Sequence, residues 1–184
     1  YQINLAIAGI AVGTVSLPVL SKAFKTKNLK KISNIQNKSF ELSLLFSIPA
    51  SFGLILASNE IVNALFGYGS FALKDVGMTA AALKFFGYGV PAFALIKILS
   101  NFFFARDNTK TPFYISMFIV ILNIFISVNF FSTIGFIIIP IATSISTWVG
   151  VFIYIYLLNS KKILLLKNHL LINFIKILIS TIIM

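Results

Sequence analysis

The run Phe113-Tyr-Ile-Ser-Met-Phe-Ile-Val-Ile-Leu-Asn-Ile-Phe-Ile-Ser-Val-Asn-Phe-Phe131 holds nineteen residues and no charge. Crossing about 30 Å of hydrocarbon takes about 20 helical residues at 1.5 Å each, so this run reads as a membrane-spanning helix. Barrel strands would show about ten residues of strict alternation instead. Working outward, Met78 to Phe104 and Ile134 to Leu158 flank it, and Phe40 to Leu56 and Ile3 to Leu20 come before. A sixth run begins near Leu170 and stops at Met184. The expected fold is all-α: a polytopic transmembrane bundle of about five full spans and a truncated sixth, with residues 1–184 as a single membrane region. Because the chain opens at Tyr1 and its last run ends unfinished, we expect an internal piece of a longer membrane protein.

Composition agrees. Apolar residues make up 59% of the chain and charged ones 10%, with a mean hydropathy of +1.00. One water-soluble core of this size cannot hide that much apolar surface, and 20 Phe are the opposite of a disordered composition. The absence of Cys removes disulfides and thiolate metal sites. A formal charge of +11 raises nucleic acid as a partner, but fourteen of the fifteen basic residues are Lys, mostly in short runs between apolar stretches. Nucleic-acid surfaces interleave Arg and aromatics on one face, whereas here the aromatics lie inside the apolar runs. The positive-inside pattern of a membrane protein accounts for the charge, and no nucleic-acid partner is expected.

The connections assign sides. Ser21 to Ser39 carries Lys22, Lys25, Lys27, Lys30, Lys31 and Lys38, while Ala57 to Gly77 has only Lys74 against Glu60 and Asp75. Arg106 and Lys110 then stand beside Asp107, the turn near Ser132 to Gly135 is uncharged, and Lys161, Lys162 and Lys167 follow. Basic residues alternate rich and poor, as they do when every second loop is cytoplasmic. Loops 21–39, 105–112 and 159–169 are therefore expected in the cytoplasm, with the Tyr1 end outside.

Local chemistry supports these boundaries. Pro112 suits a helix's first turn, and Gly67-Tyr-Gly-Ser70 signals a turn after a short amphipathic piece, Asn59 to Leu65, expected at the interface. Asp75 suits the positive end of a helix dipole. Pro18 and Pro49 fall within apolar runs, where each frees a carbonyl and bends its helix.

Catalytic groups are scarce. The one His, His169, sits in a Lys-rich connection, and the four acidic residues are expected in loops or at helix ends. We expect no enzymatic chemistry, no metal site and no cofactor. Lys97 is the most informative residue, an ammonium in the otherwise apolar run Val90 to Asn101. Nine residues from Arg106, it is about 13 Å deep, further than a Lys side chain snorkels. An ammonium in hydrocarbon costs at least ~2.5–3.5 kcal/mol, so it should face protein or a wet cavity. It is expected either to present charge to an anion or to be held by carbonyls freed near Pro91. Asn101, one turn on, extends the polar stripe. Lys84 is a weaker candidate, within reach of headgroups. Asn123 shares a helix face with Ser127, and Thr143, Ser144 and Thr147 form a patch on the next span; such groups usually make interhelical hydrogen bonds worth about 0.6 kcal/mol. Gly9 and Gly13 make a close-packing face. The first Lys cluster suits anionic headgroups as well as topology.

Three strings resemble one family. Gly9-Ile-Ala-Val-Gly-Thr-Val-Ser-Leu-Pro-Val-Leu-Ser-Lys-Ala-Phe24 resembles the G-x-A-x-G-T-x-L-P-x-L-S-[KR] stretch of the MurJ (MviN) lipid II flippases. Pro91 to Pro112 is similar to that family's P-A-x-x-x-x-K-[VI]-L-x-x-x-F-Y-A-R-x-D-x-x-T-P signature, with one residue fewer between Arg106 and Asp107. Leu65-Phe-Gly-Tyr-Gly-Ser-Phe71 is similar to its L-F-x-x-G-x-F outer loop. The resemblance implies a piece of one lobe of a two-lobed exporter of the MOP superfamily, in the bacterial cytoplasmic (inner) membrane. It implies export of lipid II, or a similar polyprenyl-diphosphate-linked sugar, by alternating access, in support of cell-wall synthesis and cell shape. Lys97 matches the family Lys, with Asn101 beside it. Gln2 falls just after the place of an Asp-Arg-Leu motif, whose Arg lies upstream of this chain. The implied partners are that lipid-linked precursor, membrane lipids and the N-terminal lobe of the same protein. Two alternatives stay open: a related polysaccharide-lipid flippase, and a non-transporting membrane scaffold for cell-wall enzymes. A cation antiporter is disfavoured by the expected lack of an in-span carboxylate.

Overall fold

The structure is a computed structural model that describes residues 2–69, 73–166 and 169–183. Tyr1, Ser70, Phe71, Lys167 and Met184, used above for orientation, the outer turn and the last run, lie outside the described residues. A continuous helical segment Gln2–Lys25 comprises α1 (Gln2–Leu5), a π-helical stretch (Ala6–Ala11) and α2 (Val12–Lys25). Then come α3 (Leu29–Leu56), α4 (Ser58–Phe66), α5 (Leu73–Phe104) and α6 (Lys110–Ile134). A single 3-10 turn, Gly135–Ile137, reverses the chain into α7 (Ile138–Ser160), and α8 (His169–Ile183) follows. Gly135 has φ +74°, a conformation a side chain resists, which lets two membrane-length helices meet through three residues.

The expected all-helical bundle is present, but its connections are shorter than predicted. Of the Ser21 to Ser39 loop only Thr26, Lys27 and Asn28 leave the helices. Asn28 explains the sharp restart: its side chain accepts the Lys31 N–H at 3.0 Å, capping α3. Lys30, Lys31 and Lys38 therefore ride on a helix that continues beyond the apolar run. The same extension corrects the placement of Glu41, which lies inside α3 rather than at a helix end and accepts the Asn173 amide of α8 at 2.8 Å. Spans three and four likewise lengthen to α5 and α6, whereas span five is shifted, starting at Ile138 and ending at Ser160 as α7. The short amphipathic piece is present as the helix α4, where Val62 packs against Val76 and Ala80 of α5.

Helix α5 is the hub, packing on α2, α3, α4 and α7. The core gathers around Phe102 and Phe103: Phe40 meets Phe102 edge-on at 5.8 Å, and Tyr154 lies 5.9 Å from Phe103. Helix α6 buries only Pro112 and Ile115, leaving Phe118, Ile121, Phe125 and Val128 exposed. An apolar helix exposed on nearly every side suits lipid rather than water.

Pro91 bends α5 under control. Lacking an N–H, it leaves the Gly87 carbonyl without its helical donor, and the buried Ser51 hydroxyl of α3 supplies one at 2.7 Å. Ser144 donates to the Phe85 carbonyl at 2.8 Å and Trp148 to the Tyr88 carbonyl at 3.0 Å. Side chains from α3 and α7 thus staple the bend from both sides.

Candidate functional site

Lys97 and Asn101 stand one turn apart on α5, facing the glycine face of the first helical segment. A β-carbon at Gly9 would lie 3.2 Å from the Ala94 Cα and 3.3 Å from the Lys97 Cγ. At Gly13 it would lie 2.7 Å from the Asn101 Nδ2. The two glycines therefore do what their spacing predicts, and what they pack against is the polar stripe itself. Gly9 falls within the π stretch, a form that recurs at functional sites because it shifts the register of a helix face.

Helix α2 forms one wall, α6 the other, and Lys97, Ser100 and Asn101 of α5 the floor of a groove of about 420 Å³. Tyr154 of α7 closes its base, with Ser116 of α6 as hydrogen-bonding neighbour of the phenol. Thr14 adds a hydroxyl from the wall. Lys97 is the one charge in the lining, and no carboxylate balances it. Its side chain is exposed towards the hollow, and among the described residues its ammonium has no hydrogen-bond or ion-pair partner. The alternative in which carbonyls freed near Pro91 hold Lys97 is not what the structure contains, since Ser51 takes the Gly87 carbonyl. An unpaired ammonium among hydroxyl, amide and aromatic groups attracts an anion and offers it hydrogen bonds.

The other residues singled out by sequence are elsewhere. Lys84 is exposed thirteen residues back along α5, roughly 20 Å away, and does not line the groove. Gln2 is exposed on α1 and also outside it. Asn123 turns to α7, where its Nδ2 donates to the Thr143 Oγ1 at 2.9 Å, the interhelical bond expected of it. Sequence reading missed Tyr154 and Ser100 as lining. A Tyr within the apolar run of α7 was a signal, because a buried phenol needs a partner. Ser100 gave none: its hydroxyl donates back to the Lys97 carbonyl at 3.0 Å, a local bond any helical Ser can make.

The profile of the family described as lipid II flippase MurJ matches residues 1–184. A probable lipid II flippase MurJ of Rickettsia prowazekii is 38% identical over 148 residues, covering 80% of this chain and 29% of that protein. One from Buchnera aphidicola subsp. Acyrthosiphon pisum is 30% identical over 186 residues, covering 100% of this chain and 36% of its own. Among solved structures, a lipid II flippase MurJ in an inward closed conformation superposes with a TM-score of 0.82 at 30% identity, over 100% of this chain and 37% of that one. The chain spans about three tenths of the length of the first relatives it matches.

Proposed function

The chain belongs to the lipid II flippase MurJ family, and on that premise we propose that it forms part of one lobe of a transporter that moves lipid II, or a closely similar polyprenyl-diphosphate sugar, across the bacterial cytoplasmic membrane. In this reading the groove between α2 and α6 is one wall of the transport cavity. Lys97 attracts the diphosphate, Asn101 orients it through its amide, and the polyprenyl tail stays in lipid. Gln2 at the start of α1 extends that wall, while Lys84 and Asn123 act as headgroup anchor and helix tie. The basic segments 21–39, 105–112 and 159–169 would face the cytoplasm and the Gln2 end the outside. Rocking of this lobe against its counterpart would expose the groove to each side in turn.

One observation carries the reading: Lys97 is the sole, unpaired charge of an open hollow that also presents Thr14, Ser100 and Asn101. An ammonium needed only for packing or anchoring would be paired or turned to headgroups. In the full-length protein, Lys97→Ala is expected to abolish complementation of a flippase-depleted strain at normal expression, whereas Lys84→Ala complements. Full rescue by both variants would remove Lys97 from the site and leave the scaffold reading in possession.

A further inference from the structure

A second hollow, sharing no lining residue with the Lys97 groove, lies where α2, α5 and α7 end. We propose that it binds a phosphate-bearing anion carrying two or more negative charges. The three helices finish in the same way. Lys27, Asp107 and Lys162 adopt φ of 53°, 57° and 52°, and the following amides return to the carbonyls of Ala23, Phe103 and Leu158 at 3.1, 3.1 and 2.9 Å. Each end is therefore a closed Schellman cap, which fixes the backbone beneath the side chains it carries.

These caps bring cations from three separate stretches of chain to one concavity of about 660 Å³: Lys25, Lys27, Arg106, Lys161 and Lys162, with Asp107 as the one carboxylate. Two are held in place without being neutralised. The Arg106 guanidinium sits 5.4 Å above the Phe24 ring and the Lys161 ammonium 5.7 Å above that of Phe103. Among the described residues none of the five is ion-paired to a carboxylate.

Cations at helix C-termini also answer the helix dipoles, and that competing explanation can be weighed. Three helix ends supply roughly −0.5 charge each. Together with Asp107 they offset about half of the five positive charges, leaving roughly +2.5 in the hollow. Topology needs basic residues in a connection, not their convergence on a shared concavity. A phosphomonoester or diphosphate matches the remaining charge, and the Arg106 fork suits its paired oxygens. Phe24, Ile32 and Leu165 give the hollow an apolar floor for whatever the phosphate is attached to. The phosphate could belong to a membrane lipid headgroup or to a soluble compound; the chemistry recognised is the same.

The test uses full-length protein carrying Lys97→Gln, so that the groove does not contribute. Titrated calorimetrically with inorganic pyrophosphate, it should bind saturably, more weakly as salt is raised. Adding Arg106→Gln and Lys161→Gln should weaken binding at least about tenfold, the loss of two charge-assisted contacts, while Lys74→Gln at the far end of α5 leaves it unchanged. If the double variant fails to fold, Lys25→Gln carries the comparison, with a weakening of roughly threefold. Nanodiscs separate the sources. For a soluble ligand, pyrophosphate binds equally in phosphatidylcholine and phosphatidylglycerol. For a headgroup, phosphatidylglycerol competes, and the double variant retains less of it on detergent extraction. No saturable pyrophosphate binding together with equal lipid retention, or binding indifferent to the substitutions, overturns the proposal.

Discussion

Gly13 of α2 lies directly under Asn101 of α5, so close that a β-carbon at residue 13 would stand 2.7 Å from the Asn101 amide nitrogen. The same helix face meets α5 one turn earlier through Gly9, there against backbone, with the Ala94 Cα at 3.2 Å. The floor and one wall of the groove are thus held closer than β-carbons at these two positions would allow, with Lys97 and Asn101 lining the hollow beside them.

The two glycines should respond differently to a methyl group. Gly9→Ala presses on the α5 backbone and should destabilise by about 1–3 kcal/mol, seen as a lower thermal midpoint in detergent. Gly13→Ala meets only the end of a side chain that can swing aside, so its midpoint should move less while complementation falls. Equal thermal losses would contradict the asymmetry.

The bend at Pro91 provides a closed cycle. Ser51→Ala strips the Gly87 carbonyl of its donor and should cost about 1 kcal/mol. In a Pro91→Ala background the helix regains its own N–H for that carbonyl, so the same substitution should become nearly neutral. Chemical denaturation of the four proteins reads the coupling; purely additive losses would mean the hydroxyl does not staple the bend.

The connection to α8 hangs on Gln36. Fully buried, its amide donates to the Ile163 carbonyl and accepts the Leu165 N–H, both at 3.0 Å, as a strand neighbour would. Ser33 and Asn37 add bonds to the Leu165 carbonyl at 2.7 and 3.1 Å. Gln36→Leu should release residues 163–166, raising their amide exchange by tenfold or more for a loss of about 1.5–3 kcal/mol over two bonds. Unchanged exchange there would show that packing alone holds the segment.

Orientation is open to direct labelling, because the chain has no native Cys. A single Cys at Lys27 should be protected from a membrane-impermeant maleimide added outside cells, and one at Tyr68, which is 72% exposed, should react. The reverse pattern would invert the proposed topology.

Asn123→Ala should lose only its bond to Thr143, about 0.6 kcal/mol and no more than about 1.7. Thr143→Ala should cost a similar amount, and the double variant no more than either alone. A transport defect at unchanged stability would instead give Asn123 a part in the cargo path.

Much of this was legible in the residues because lipid makes a simple demand. A run such as Phe113 to Phe131 has no solvent in which to expose backbone, so length and apolarity suffice to read a helix. The close-packing role of Gly9 and Gly13 was legible from their spacing. Shared flippase strings around Lys97 pointed to the family before any coordinates. What misled were the polar connections, where helix and loop look alike: Asn28 restarts a helix within three residues, and Glu41 lies in one.

By itself, then, the order of residues determined the all-helical class, the long apolar runs and the ammonium of Lys97 set within one of them, since each follows from moving side chains between water and hydrocarbon. Only the tertiary structure decided that Ser51 rather than Lys97 satisfies the carbonyl freed by Pro91. It also decided that Tyr154 of α7 and Ser116 of α6 complete the groove. Those outcomes depend on the rotation and crossing of neighbouring helices, which small residues and single hydrogen bonds set across the interface rather than along the chain.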